Sequence, residues 1–199
     1  LMNALELINY GEKMLRHNKI ESSRLDSELL LSKILNKNRE EVLINLEQLI
    51  SQAHLSKYKK LILRRSQFEP IAYILKEKEF WSKNFFVNSD TLIPRPETEL
   101  MVEKLVQIFK GKNISILDIG TGSGCILISL LSEMKKSIGV GIDISSKALM
   151  IAKKNVEKHN IKNRIKLINN SLENNFDQKF DLIVSNPPYI KSSEIKNLK

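Results

Sequence analysis

Apolar positions in the first third of the chain recur at helical spacing. Leu1, Leu5, Ile8 and Leu15 form one stripe with Met14 beside it; Leu25, Leu29, Leu30 and Ile34 form a second, behind a capping serine, Ser22 or Ser23. A short helical stretch follows around residues 40–49. A longer one, led by Ser51, carries Leu55, Tyr58, Leu61 and Ile62 to about Ser66. Short amphipathic helices with brief connections predict a small helical bundle over residues 1–76. The pattern shifts near Pro70. Phe80, Trp81, Phe85, Phe86 and Val87 flank Ser82-Lys83-Asn84, which reads as the turn of a β-hairpin within a linker at 77–95, its aromatic rings packing together. In "IPRPET" the prolines break the chain, and Pro96 opens a helix with Glu97 and Glu99 in its first turn.

From Ile114 onward, near-continuous apolar runs alternate with helical segments. "ISILDIG", "IGVGID", "IKLIN" and "FDLIVS" read as strands; 125–134 and 145–159 read as helices between them. Apolar strands joined through helices mean a parallel sheet with right-handed crossovers. The domain at 96–199 is therefore α/β, a doubly wound Rossmann-like sheet.

Two turns at strand ends carry chemistry. "DIGTGSGC" joins the first strand to the first helix, and Gly120, Gly122 and Gly124 permit positive φ and close approach of a ligand to the backbone. Asp143 ends the second strand, where a carboxylate can accept hydrogen bonds from both ribose hydroxyls of a nucleoside cofactor. A dinucleotide and S-adenosylmethionine both satisfy these features. The dinucleotide fingerprint G-x-G-x-x-G needs a third glycine where Cys125 stands; the observed G-x-G-x-G is the form associated with S-adenosylmethionine. Cys125 itself reads as a small buried packing residue.

The second turn, "SNPPYI", stops the fourth strand with Asn186, Pro187, Pro188 and Tyr189. Neither proline has an N–H to donate, so the corner offers acceptors without donors. If the Asn186 side-chain oxygen and the Pro187 carbonyl each accept one N–H of a planar nitrogen, that nitrogen is held with its lone pair free to meet a sulfonium methyl. Tyr189 can stack on the flat group. No base is required, because the nitrogen becomes acidic as it takes the methyl.

"FEPIAYILKEKEFW", "LIPRPETE", "LDIGTGSG", "GIDIS" and "IVSNPPYI" together resemble, in order, the blocks of the HemK-type N5-glutamine methyltransferases, which modify peptide chain release factors. The resemblance covers most of the chain. It implies methyl transfer from S-adenosylmethionine to the glutamine of the Gly-Gly-Gln loop in class-1 release factors, with the helical domain recognising the release factor. It places the cofactor on Gly120, Thr121, Gly122, Ser123, Gly124, Asp143 and Asn186. It places the glutamine on Asn186, Pro187, Pro188 and Tyr189, with Asn186, Pro187 and Tyr189 catalytic. Where relatives carry an acidic residue and an aromatic near the adenine, this chain has Asn170 and Ser171, and Ser171 is the expected contact. Only four strands are legible before Lys199, so the sequence reads as a fragment whose C-terminal strands are missing.

Composition narrows the remaining classes. The chain has 199 residues, 42% hydrophobic and 28% charged, as expected of a soluble globular protein. No apolar run approaches the ~20 residues of a membrane span, and a cytoplasmic location is expected. His17, His54 and His159 show no ligand spacing, so no metal is expected. A net charge of +9 admits a nucleic-acid partner, although solvated lysines account for it equally. The densest basic patch is Lys57, Lys59, Lys60, Arg64 and Arg65. Two rivals stay open: a nucleic-acid methyltransferase acting on an adenine or guanine amino group, and an inactive truncated chain that binds protein through its helices.

Overall fold

The computed structural model describes residues 2–171 and 178–187, in two units, Leu1–Lys76 and Glu77–Lys199. The first unit is helical: α1 (Ala4–His17), α2 (Ser23–Leu35), α3 (Arg39–Ile44), α4 (Gln52–Ser66) and α5 (Ile71–Leu75). Asn3 and Asn38 start α1 and α3 through reciprocal capping boxes with Glu6 and Glu41, which satisfy backbone donors that a helix N-terminus leaves free. Ser51 caps α4 as the pattern predicts, its hydroxyl accepting from the His54 amide at 3.3 Å.

The buried stripe of α1 differs from the one read from hydropathy. Leu5 is exposed, and the helix turns Ala4, Leu7, Ile8, Gly11 and Leu15 inward. The reason is a close approach that hydropathy does not register. A Cβ on Gly11 would stand 2.2 Å from the Tyr58 hydroxyl oxygen, so α1 meets α4 where there is no side chain at all. On α2, Leu25 is likewise exposed, and the buried side carries Asp26, Ser27 and Glu28 beside Leu30 and Leu31. Asp26 accepts from Arg65 at 2.7 Å, and Glu28 is bracketed at 2.7 Å by both Arg24 and Arg39. Buried carboxylates persist because each has its cation. These pairs also use up part of the basic patch: Arg65 is held by Asp26, Arg64 by Glu69, and the Lys59 ammonium lies 5.2 Å from the Tyr10 ring centroid. The stretch after α3 leaves the helix at Ile44. Its backbone pairs instead with the chain start, the Ala4 amide donating to the Gln48 carbonyl and the Ile50 amide to that of Met2.

The second unit opens with a hairpin, β1 (Glu77–Phe80) and β2 (Lys83–Phe86), followed by α6 (Pro96–Phe109). The turn falls at Trp81-Ser82, not at Ser82-Lys83-Asn84. Both residues have positive φ, 53° and 51°, the arrangement of a two-residue hairpin turn, and Phe80 pairs directly with Lys83. This register puts Phe80 and Phe85 on one face, where their rings meet edge to face at 6.2 Å inside the core; a shift by one would have turned Phe80 outward.

The sheet comprises β3 (Ser115–Ile119), β4 (Ile138–Asp143), β5 (Ile165–Asn169) and β6 (Leu182–Ser185), interleaved with α7 (Cys125–Glu133) and α8 (Ser146–Lys158). All pairings are parallel, in the order β5-β4-β3-β6. The chain steps outward from β3 to β5 and then returns to the other side of β3. The order therefore reverses between β3 and β6, and ligands of open α/β sheets bind at the carboxyl end of such a switch point. Ile116 points into the core shared with Leu127, Leu130, Val156 and Val184. Leu117, Val140 and Ile142 form a second cluster, which is why these strands read as continuously apolar.

Helix α7 is buried from Cys125 to Leu131, including Ser129, whose hydroxyl has no partner among the described residues. An unpaired buried hydroxyl is costly and alanine is the better helix former. Ser129→Ala is expected to stabilise the fold by about 1 kcal/mol. Chemical denaturation checks this, and a destabilised variant would show that the hydroxyl is bonded.

Candidate functional site

The turn leaving β3 has φ of 68° at Gly120, 56° at Gly122 and 79° at Gly124. Side chains rarely adopt this backbone, so glycine is required. A Cβ on Gly120 would meet nothing within 4 Å, so the space over it is open. The loop is pinned from β4. The Thr121 amide donates to the Ile142 carbonyl at 2.9 Å, and the Gly122 amide to Asp143 Oδ2 at 2.9 Å. Asp143 Oδ1 accepts from the Ser145 amide at 2.8 Å, and the Ser145 hydroxyl in turn caps α8. One carboxylate thus fixes both the glycine turn and the start of the next helix.

Beneath the loop, the Thr121 hydroxyl donates to Asp118 Oδ2 at 2.7 Å. Burial pushes the Asp118 carboxyl up to about 6, against the Thr121 hydroxyl and the Leu127 amide, which favour its charged form. Cys125 is buried at the start of α7, and burial pushes its thiol up to about 12, out of the range of a reactive thiolate.

The opposite wall comes from β6 and α6. The Ser185 hydroxyl donates to the Ile119 carbonyl at 3.0 Å, and the Asn186 side-chain amide donates to Thr98 Oγ1 at 3.0 Å. Thr98 sits in the first turn of α6, so "IPRPET" is drawn onto the carboxyl rim of the sheet. Leu92, Arg95, Thr98 and Asn186 line both a cavity of about 40 Å³ over residues 120–123 and a cleft of about 630 Å³ that reaches Ser185 and Pro187. Asn186 and Thr98 therefore stand between two chambers, one floored by the glycine loop and one open to the outside.

Of the residues singled out in the sequence, Gly120, Thr121, Gly122, Ser123, Asn186 and Pro187 converge on these chambers. Gly124 instead begins α7, and Asp143 reaches the site through its bond to Gly122. Ser171 stands one strand further along the rim, its amide donating to Asn170 Oδ1 at 2.9 Å while the Asn170 amide donates to the Asp143 carbonyl. Pro188 and Tyr189 lie outside the described residues.

Comparison with known proteins gives the family. Residues 6–75 match the PrmC N-terminal domain, and residues 95–198 match the Methyltransferase small domain. The release factor glutamine methyltransferase of Buchnera aphidicola subsp. Schizaphis graminum is 44% identical over 198 residues, covering 100% of this chain and 71% of that protein. The chain belongs to the release factor glutamine methyltransferase family. The family member from Leptospira interrogans is 42% identical over 201 residues, covering 96% of this chain and 68% of its own. A bifunctional methyltransferase of Rickettsia typhi is 39% identical over 209 residues; the alignment takes in 95% of this chain but only 40% of that protein. The chain thus spans well under half the length of such longer relatives.

Two residues of this family member escaped the sequence reading. Asn155 is fully buried on α8. Its side chain donates to the Ser123 carbonyl at 2.8 Å and to the Phe86 carbonyl at 3.0 Å, and accepts from the Phe86 amide at 2.7 Å. It clamps the glycine loop to the hairpin. The available signal was an asparagine on the apolar stripe of Ala148, Ile151, Ala152 and Val156. Thr98 is the other, hidden among helix-starting residues.

Proposed function

We propose that the protein transfers a methyl group from S-adenosylmethionine to the side-chain amide nitrogen of the glutamine in the Gly-Gly-Gln loop of peptide chain release factors, in the cytoplasm. The observation that carries this reading is the placement of Asn186 and the glycine loop on one small cavity at the switch point of the sheet. Among the described residues no helix is long and apolar enough to cross a membrane.

The residues present fit the cofactor. Open space over Gly120 and the acceptor at the end of β4 suit a nucleoside, and Gly120 to Gly124, Asp143 and Ser171 would hold it. When bound, S-adenosylmethionine supplies an electrophilic methyl. The chain's own part is orientation. With its nitrogen engaged by Thr98, Asn186 has Oδ1 left as an acceptor, and the Pro187 carbonyl follows it. These two acceptors hold the two N–H bonds of the glutamine amide, direct its lone pair toward the methyl, and stabilise positive charge as it develops on nitrogen. The proton then leaves to water. Pro188 and Tyr189, outside the described residues, are the remaining members proposed for the glutamine site. The helical unit, 1–76, recognises the release factor, and 96–199 carries out the transfer with the 77–95 segment between them.

The test is incorporation of labelled methyl into a release factor and into the same factor with its loop glutamine replaced. Label confined to the unaltered factor is expected; equal labelling of both, or labelling of RNA or DNA instead, contradicts the reading. Asp143→Ala should weaken S-adenosylmethionine binding about 10–100-fold by calorimetry, since it removes a charged acceptor and frees the Gly122 amide. Unaltered affinity would remove Asp143 from the cofactor site.

A further inference from the structure

We infer that Thr98 is a positioning residue for the transfer, setting which end of the Asn186 amide faces the substrate. The inference rests on the function proposed above and assigns a role to a residue outside the Asn-Pro-Pro-Tyr corner. A primary amide is nearly symmetric in shape. Turned by half a rotation, Asn186 would present two donors where the mechanism needs an acceptor, and a substrate N–H would then meet another N–H. Something must break that symmetry.

The described contacts show one of the two orientations, in which the Thr98 hydroxyl, able to donate or accept, acts as the acceptor. The Asn186 nitrogen donates to Thr98 Oγ1 at 3.0 Å, so the oxygen is the end left over. Thr98 is itself 9% exposed and fixed in the first turn of α6, its amide donating to the Arg95 carbonyl at 3.0 Å. Both residues line both chambers, so the contact lies where a glutamine side chain and a methyl donor would meet. Pro96, with no N–H of its own, opens the helix that carries Thr98, which gives "RPET" a purpose beyond starting a helix.

Valine and serine separate this role from simple packing. Thr98→Val keeps the branched shape and deletes the hydroxyl; Thr98→Ser keeps the hydroxyl and deletes the methyl. In the full-length protein with S-adenosylmethionine and release factor, Thr98→Val should lower kcat about tenfold, the loss of one hydrogen bond, with cofactor affinity unchanged by calorimetry. Thr98→Ser should recover most of that rate. A Val variant as fast as the unaltered protein, or a Ser variant as slow as Val, overturns the inference. A readout independent of turnover is hydrogen exchange of the Asn186 side-chain NH₂ in ¹⁵N spectra, which should quicken in Thr98→Val only. Unchanged exchange would show that the contact does not hold the amide. If the unaltered protein puts no methyl on the release factor, the proposed function falls, and the exchange experiment still decides whether Thr98 fixes Asn186.

Discussion

Asn186→Ala is expected to lower turnover about 10²–10³-fold, the range seen when one donor or acceptor of a charge-stabilising site is deleted. S-adenosylmethionine affinity should change little. The split follows from what the side chain does. Its oxygen is needed only where the substrate nitrogen must be oriented and where positive charge develops, so its loss falls on the transition state. The glycine loop, held by Asp143 and the Ile142 carbonyl, keeps its shape without Asn186. The alanine variant also releases the Thr98 hydroxyl, so some loosening of α6 against β6 is expected, visible as a small fall in thermal stability. Steady-state kinetics with calorimetry separate the effects. A rate near that of the unaltered protein would mean that the amide does not orient the nucleophile.

The second large effect is expected at Asn155. Removing its fully buried side chain leaves the Ser123 carbonyl and both backbone groups of Phe86 without their partner. Orphaned buried groups cost about 1–3 kcal/mol each, and water entering the space recovers part of that. A loss of about 3 kcal/mol on Asn155→Ala is the expected balance. Because one of the freed carbonyls belongs to the glycine loop, S-adenosylmethionine binding should weaken in the same variant. Denaturant unfolding and calorimetry on one preparation test both. A shift below about 1 kcal/mol would show that the hairpin and loop hold their places without the clamp.

What the residue pattern revealed and what it concealed have physical causes. The four parallel strands were legible because apolar side chains cluster on both faces of the sheet, Ile116 on one and Leu117 on the other, which leaves such runs without alternation. The glycine turn and Asn186 were legible because unusual backbone demands and donor-free corners draw on few residue types. Packing against small residues was not legible. The inward face of α1 runs through Ala4 and Gly11, whose contribution is the closeness they allow, while Leu5 turns outward. Charge hidden inside was not legible either. Asp26 and Glu28 look like a solvated helix face until Arg65 and Arg39 arrive from elsewhere in the chain, joining Arg24 on the same helix. Asn155 and Thr98 belong to the same class: their partners lie far away in sequence, at Ser123, Phe86 and Asn186, and nothing local marks them. The hairpin turn was misplaced by one position because Trp81 and Ser82 are not the residues that usually accept positive φ.

The most direct test of the central claim is a crystal structure of the full-length protein with S-adenosylhomocysteine and a glutamine-containing peptide from a release-factor loop. The account predicts that the peptide's amide nitrogen lies within about 3 Å of both Asn186 Oδ1 and the Pro187 carbonyl and faces the cofactor sulfur across the cavity over the glycine loop. A peptide amide bound elsewhere, or an Asn186 oxygen turned away from it, would contradict the account.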